Sequence, residues 1–389
     1  MKSKSIIFYI IGALLLYGAS TGISYGAFTL LKSNQSVTAV PVPSSEKGHF
    51  VIDPAIPKTE ECPLNGQKFT KQEKDIWVGR RPLAVMIENS IDARPQSGLS
   101  YADIVYEAVA EGGIPRFMSV NLCGIAAYNI GFAPVRSART YFVDWVSEYD
   151  ALYNHVGGAG RCSDDTVDER AKALCQIQKY GIRDMDQFGI AFPTCYRNYD
   201  RLDHEVATEH TMVCFSDKLY DLAKKREWTN VDEEGVAWDE NFVPWKFKDD
   251  AKEGERGTIA SVSFVHWDGY EQNYGVQWNY DSITDSYKRV NGGQPHIDLE
   301  TKEQLTAKNV VIQFTKETDG IDEHAHVLYG TIGTGKALIF LDGKAIVGTW
   351  KKPKRIDRTL FFDEKGKEIT FNRGQIWIEV VSIDTKVTY

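Results

Sequence analysis

Leu83-Ala-Val-Met-Ile87 is a run of five apolar residues set between Arg80-Arg81-Pro82 and Glu88-Asn89, and its reading decides the fold class. A short unbroken apolar run with polar and proline boundaries fits a strand buried on both faces, which needs a layer on each side. Working outward, Arg116–Leu122 reads as a second strand, and Ala102–Tyr106 fits either a short helix or a strand. Ser137–Tyr149 spaces Phe142, Trp145, Val146 and Tyr149 at helical intervals, and Ala151–His155 then reads as a strand ending at Gly157-Gly158. Asp165–Tyr180 and Ser216–Arg226 have helical patterns, the latter with Ser216 as N-cap. This alternation predicts an α/β layer domain over residues 58–228.

A joint at 229–257, rich in tryptophan and acidic residues, leads to a β-rich half at 258–389. Strand-like runs occupy Ile259–Val265, Val276–Tyr280, Val310–Phe314, Val327–Ile332, Leu338–Leu341, Ala345–Trp350, Leu360–Phe362 and Ile376–Val381. Asp342-Gly343 between two of them is a hairpin signal, because both central positions of a type I′ turn need positive φ. The expectation is α+β overall: an N-terminal α/β layer domain followed by a smaller barrel- or sandwich-like β domain.

Upstream, Ile6–Leu31 carries no charge and follows Lys2 and Lys4. About 20 apolar residues span a bilayer as a helix, and flanking basic residues stay cytoplasmic. Residues 1–32 therefore read as a transmembrane signal anchor, with the bulk of the chain outside the cytoplasmic membrane. Secretion after cleavage near Ser20 or Gly26 is the alternative. Residues 33–57, rich in serine and proline, read as an extended linker. All six cysteines lie between Cys62 and Cys214. An even count in an oxidising compartment points to disulfides, with buried free thiols as the other reading. No C-x-x-C pair occurs, and two histidines at His324-Ala-His326 are too few for a closed metal site, so neither metal nor cofactor is expected. The formal charge of −9 leaves no basic surface for nucleic acid.

Several stretches resemble the YerB-like family of bacterial envelope proteins, a two-part domain family of unknown function. They are Arg81–Asn89, Ala93–Ser100, Ala102–Glu107, Glu111–Phe117, Pro134–Arg139, Tyr141–Asp144, Gly348–Lys351 and Gly374–Ile378. The resemblance runs from about Cys62 to the end of the chain. It implies an exported two-domain protein and supplies no activity. Members often look like lipoproteins, whereas no cysteine lies near Ile6–Leu31 here, so this chain departs from them in anchoring.

The densest polar constellation is Arg94, Asp103, Glu107, Glu111, Arg116, Arg136, Arg139, Asp144 and His155. Arg136 and Arg139 stand beside an expected helix N-terminus, and Arg116 follows Gly112-Gly113 at a strand start. Guanidinium groups beside free helix N–H groups suit an anion, so these residues are the expected ligand site. Arginine pairs equally well with carboxylates, so an internal ion-pair network is the competing reading. Two functions follow. The first is an anchored scaffold or binding module for wall-synthesis proteins or an anionic envelope ligand. The second is an enzyme on a phosphorylated or polymeric wall precursor, with Asp144 or His155 moving protons.

Overall fold

The computed structural model describes residues 52–53 and 55–389, which belong to a single compact unit. The expected anchor and most of the linker lie outside the described residues. Among the described residues, no helix is long and apolar enough to cross a membrane.

Leu83–Glu88 (β1) is a strand buried along its whole length, as its composition requires. It is preceded by helix α1 (Lys71–Trp77), started by a complete capping box in which Thr70 and Glu73 satisfy each other's backbone N–H. Ile104–Val109 (β2) and Pro115–Asn121 (β3) follow, then helix α2 (Thr140–Val146) and Leu152–His155 (β4). Ala173–Lys179 (α3), Arg183–Asp186 (β5) and Ser216–Lys225 (α4) complete the first half. The expected helix at Asp165–Tyr180 is shorter than its pattern, with a separate 3-10 turn at Glu169–Ala171. Ser216 is not the N-cap of α4. Phe215 holds that position, and the Ser216 hydroxyl accepts the Ile130 N–H at 2.9 Å.

The second half opens with Ser261–Phe264 (β6), the short helix Glu271–Tyr274 (α5), Val276–Asp281 (β7), Ser286–Asn291 (β8), Gln294–Pro295 (β9) and Thr306–Ala307 (β10). These strands make an antiparallel sheet ordered β6-β7-β8-β9, with β10 also on β8. The last strands are Asn309–Thr315 (β11), Gly333–Leu341 (β12), Lys344–Lys352 (β13), Leu360–Asp363 (β14) and Ile376–Ser382 (β15). Asp342 and Gly343 turn β12 into β13 with φ of 52° and 66°, the conformation their sequence predicts. The Val327–Ile332 run forms only the two-residue strand Leu328–Tyr329.

The second half does not close into a barrel of its own. β15 pairs in parallel with β2 (Ile376↔Ile104 to Glu379↔Glu107), so β11–β15 continue the sheet of β1–β5. The result is one ten-stranded sheet ordered β14-β13-β12-β11-β15-β2-β3-β1-β4-β5. This junction covers two strand edges that separate domains would leave open to other chains. One face of the large sheet packs Met86, Tyr106, Met118 and Ile378 against Phe142 and Trp145 of α2. The other packs Val85, Val105, Phe117 and Trp377 against Val262, Trp278 and Tyr287 of the smaller sheet. Each side chain at 25 cal/mol per Å2 of buried apolar surface contributes about 1.5–3 kcal/mol, so both layers hold the sheet.

Three disulfides account for all six cysteines: Cys62–Cys123, Cys162–Cys175 and Cys195–Cys214.

Candidate functional site

The expected nine-residue constellation divides into separate groups. Glu111 sits in the turn after β2, and Arg139 immediately precedes α2. Arg139 grips both Glu111 oxygens, Nε on Oε1 and Nη2 on Oε2, the second at 2.5 Å. Arg116 adds Nη2 at 3.4 Å from Glu111 Oε2 and donates Nη1 to the Ser137 carbonyl at 3.0 Å. Burial by itself raises the Glu111 carboxyl, but the Arg139 fork and then the Arg116 charge outweigh it and bring it down to about 2. Burial, with the Arg139 charge next, pushes Arg116 down to about 10. His326, from the second half, places Nε2 3.8 Å from Glu111 while its Nδ1 meets Asp322 at 2.7 Å. Arg136 turns elsewhere, its Nε 3.1 Å from Glu88 Oε1, and Glu88 Oε2 meets His210 Nδ1 at 2.6 Å. An internal carboxylate thus stands at the place expected for an outside anion.

Three other expected residues hold loops together. Asp103 accepts the backbone N–H groups of Leu122, Cys123 and Gly124 at 2.6, 2.9 and 3.1 Å, closing the turn beside the Cys62–Cys123 disulfide. Asp144 accepts the Thr331 hydroxyl at 2.5 Å, and burial raises its pKa. His155 bonds the Gly157 carbonyl at 2.8 Å and Asp184 at 3.0 Å.

Glu107 belongs to a different place, between the two sheets. It lies next to Glu379 across the β2–β15 pair, and Arg289 of β8 reaches both. Arg289 Nη2 is 2.6 Å from Glu107 Oε2 and Nη1 is 2.6 Å from Glu379 Oε1. All three side chains are fully buried, and the guanidinium is ringed by Trp377, Trp278 and Phe117. Two ionised carboxylates against one guanidinium would bury a net negative charge, which is costly. Burial pushes Glu107 well above the usual carboxylate range, with Arg289 opposing and the Glu379 carboxyl reinforcing it. Glu107 therefore holds a proton more readily than an ordinary carboxyl, which lightens the charge buried with Arg289. His266 brings a third potential ligand atom to Glu107 and Glu379, all within 4.8 Å. A divalent ion there would leave a buried net positive charge beside Arg289, and none is assigned.

Arg289 Nε donates to His296 Nδ1 at 3.0 Å, so Nε2 carries the proton and donates to Gln96 Oε1 at 2.7 Å. Burial, then the Arg289 and Arg94 charges, keep His296 neutral, well below its usual pKa. On its outer side His296 lines a cavity of about 550 Å3, together with Ile91, Arg94, Pro95, Asn291 and Pro295. Its wall is shaped by the Asn291↔Gln294 pair, turned through Gly292-Gly293 with φ of 58° and 73°. A Cβ on Gly292 would stand 2.7 Å from the Asn273 carbonyl oxygen, so only glycine fits there.

Arg94 Nε and Nη2 donate to Asn89 Oδ1 and O at 3.0 and 3.1 Å, and its guanidinium lies 5.3 Å from the Tyr274 ring centroid. Among the described residues no carboxylate stands within ion-pair distance of it. Burial lowers its pKa to about 10, so it stays charged at neutral pH. Asn291 is 2% exposed, and neither its side-chain oxygen nor its nitrogen has a partner among the described residues.

The sequence singled out Arg94 and Glu107 but missed Arg289, Asn291, His296 and Glu379. One signal was available. Period-two alternation in Ser286–Asn291 places Tyr287, Arg289 and Asn291 on one face, and Tyr287 marks that face as core.

Residues 66–228 match the family model described as "Protein of unknown function (DUF3048) N-terminal domain", and residues 265–378 match the corresponding C-terminal domain. The chain is 28% identical over 332 residues to "Putative lipoprotein YerB" of Bacillus subtilis strain 168, covering 84% of this chain and 88% of that protein. The crystal structure of the YerB protein from Bacillus subtilis is similar, with a TM-score of 0.66 and 25% identity, over 85% of this chain and 100% of that one.

Proposed function

The chain belongs to the YerB-like family of unknown function whose two domain models it matches, and from that premise we propose that it is a membrane-anchored extracytoplasmic binding protein, holding a small anionic molecule in the Arg94 cavity. The observation that carries this reading is the Arg94 guanidinium, charged, partly desolvated and without a carboxylate among the described residues, in the wall of a 550 Å3 cavity. Small-ligand pockets run from about 300 to 1,000 Å3, with mostly apolar walls and a few polar groups that orient the guest. Anchoring outside the cytoplasmic membrane is supported by the uncharged Ile6–Leu31 run behind Lys2 and Lys4, and by a relative whose name calls it a lipoprotein. Three disulfides suit an oxidising compartment.

The enzymatic alternative has less support, because the arginines expected to hold a phosphorylated precursor are engaged by Glu111 and Glu88. Thermal unfolding of the purified exported part against a panel of carboxylates and phosphates tests the binding reading. Anions should stabilise the parent protein and not Arg94→Gln. Equal stabilisation of both, or of neither, would sink it. An export-dependent reporter fused after Tyr389 tests topology, and cytoplasmic activity of a matched reporter would overturn it.

A further inference from the structure

We infer that the occupant of the Arg94 cavity is a short acyl peptide ending in a free carboxylate, an inference that rests on the binding reading above. Arg94 supplies the first half of the argument. Two of its nitrogens are held by Asn89, which fixes the guanidinium plane, while Nη1 has no partner among the described residues. A fixed fork with a free donor, and no carboxylate within ion-pair distance among the described residues, suits a planar carboxylate.

Asn291 supplies the second half and selects among anions. Its amide offers both a donor and an acceptor, and both are unpaired among the described residues although the residue is 2% exposed. Phosphate and sulfate present oxygens as acceptors, so either could satisfy the nitrogen and leave the Asn291 oxygen stranded. A simple carboxylate has the same defect. The N–H and C=O of one extended residue point the same way and together satisfy both ends of a primary amide. A terminal carboxylate on Arg94 and these two groups on Asn291 belong to one molecule when that residue precedes the C-terminal one. Ile91, Pro95, Pro295 and Ile297 give the wall an apolar part that suits a side chain, beside the polar Gln272, Asn273 and Gln294. The cavity's 550 Å3 limits the guest to a few residues.

The His296 side of the cavity is consistent with this guest. His296 stands in the wall with Nδ1 already accepting from Arg289 and Nε2 already donating to Gln96. It therefore adds no charge to compete with Arg94 for the carboxylate.

The test is ligand-detected NMR on the exported part with four probes: a library of N-acetyl dipeptide acids, the same dipeptides as C-terminal amides, acetate, and inorganic phosphate. The acids should bind, and both amidation and Asn291→Leu should weaken them about tenfold or more, the cost of one stranded polar group. Acetate should bind more weakly and be indifferent to Asn291→Leu. If acetate and the acids bind alike, and Asn291→Leu changes neither, the peptide assignment falls while the anion cavity stands. If no acid and no acetate binds the folded parent protein while inorganic phosphate does, the peptide assignment falls and the anion cavity stands; if phosphate does not bind either, both readings fall. The amidated ligands keep the test decisive even if the variant folds poorly.

Discussion

Glu107 Oε2 and Arg289 Nη2 lie 2.6 Å apart, across 182 residues of sequence, in a fully buried contact that joins the first half of the chain to the second. Glu379 shares the same guanidinium at 2.6 Å. Removing Arg289 alone strands a carboxyl pair in a core lined with tryptophan. Arg289→Met should therefore destabilise by about 3–5 kcal/mol. Adding Glu107→Gln and Glu379→Gln removes the stranded charge and should recover much of that loss. Urea unfolding of the single and triple variants reads this, and equal losses in both would show that charge is not the cause.

Glu111 gives the protein an acid-sensitive joint. Its folded pKa of about 2 lies below the ordinary 4.5, so the Arg139 and Arg116 pairs stabilise fully above that ordinary value. The contribution fades as pH falls towards 2 and is on the order of 3 kcal/mol at most. Between pH 5 and pH 2 the parent protein should lose stability more steeply than Glu111→Gln. The variant should also be the weaker of the two at pH 7, because Arg139 is then left without its carboxylate. Parallel acid limbs in denaturant titrations would refute the assignment.

The disulfides should not count equally. Cys62–Cys123 spans 61 residues, against 13 for Cys162–Cys175 and 19 for Cys195–Cys214. Loop entropy predicts about 4 kcal/mol for the first and about 3 for each of the others. Cys62–Cys123 also adjoins the Asp103 turn. Paired serine replacements, compared by melting temperature, should rank Cys62/Cys123 as the most damaging, and any other order contradicts the loop argument.

Asn291→Leu should leave the melting temperature unchanged or raise it. A buried polar group without a partner costs about 1–3 kcal/mol, and leucine of similar shape removes that cost. A clear drop in melting temperature would mean that the Asn291 amide has a structural partner and is not kept for a ligand.

Much of the local structure was legible because its causes are local. Leu83–Ile87 is a strand in any context that can cover both faces, and Asp342-Gly343 turns because its own backbone preferences allow it. The pairing of β15 with β2 was not legible, since hydrogen bonding between strands 272 residues apart leaves no mark in either segment. For that reason the second half reads from its sequence as a separate barrel or sandwich. The density of arginines around Arg116–Arg139 was legible, but their partner, Glu111, could be recognised only as one of several carboxylates.

The sequence by itself therefore determined the strands, the helix-bearing first half, the family, the even cysteine set and the uncharged N-terminal run, because composition and short-range periodicity suffice for each. Only the tertiary structure decided which charges are spent. It closes Arg139 on Glu111, buries Arg289 between Glu107 and Glu379, and leaves Arg94 charged in a cavity wall shared with Asn291, whose amide is unpaired among the described residues. The physical reason is that a charged side chain's role depends on what lies within a few ångströms of it. Here those neighbours come from strands and turns far apart in the chain, brought together by the parallel seam between β15 and β2 and by the sheet that covers it.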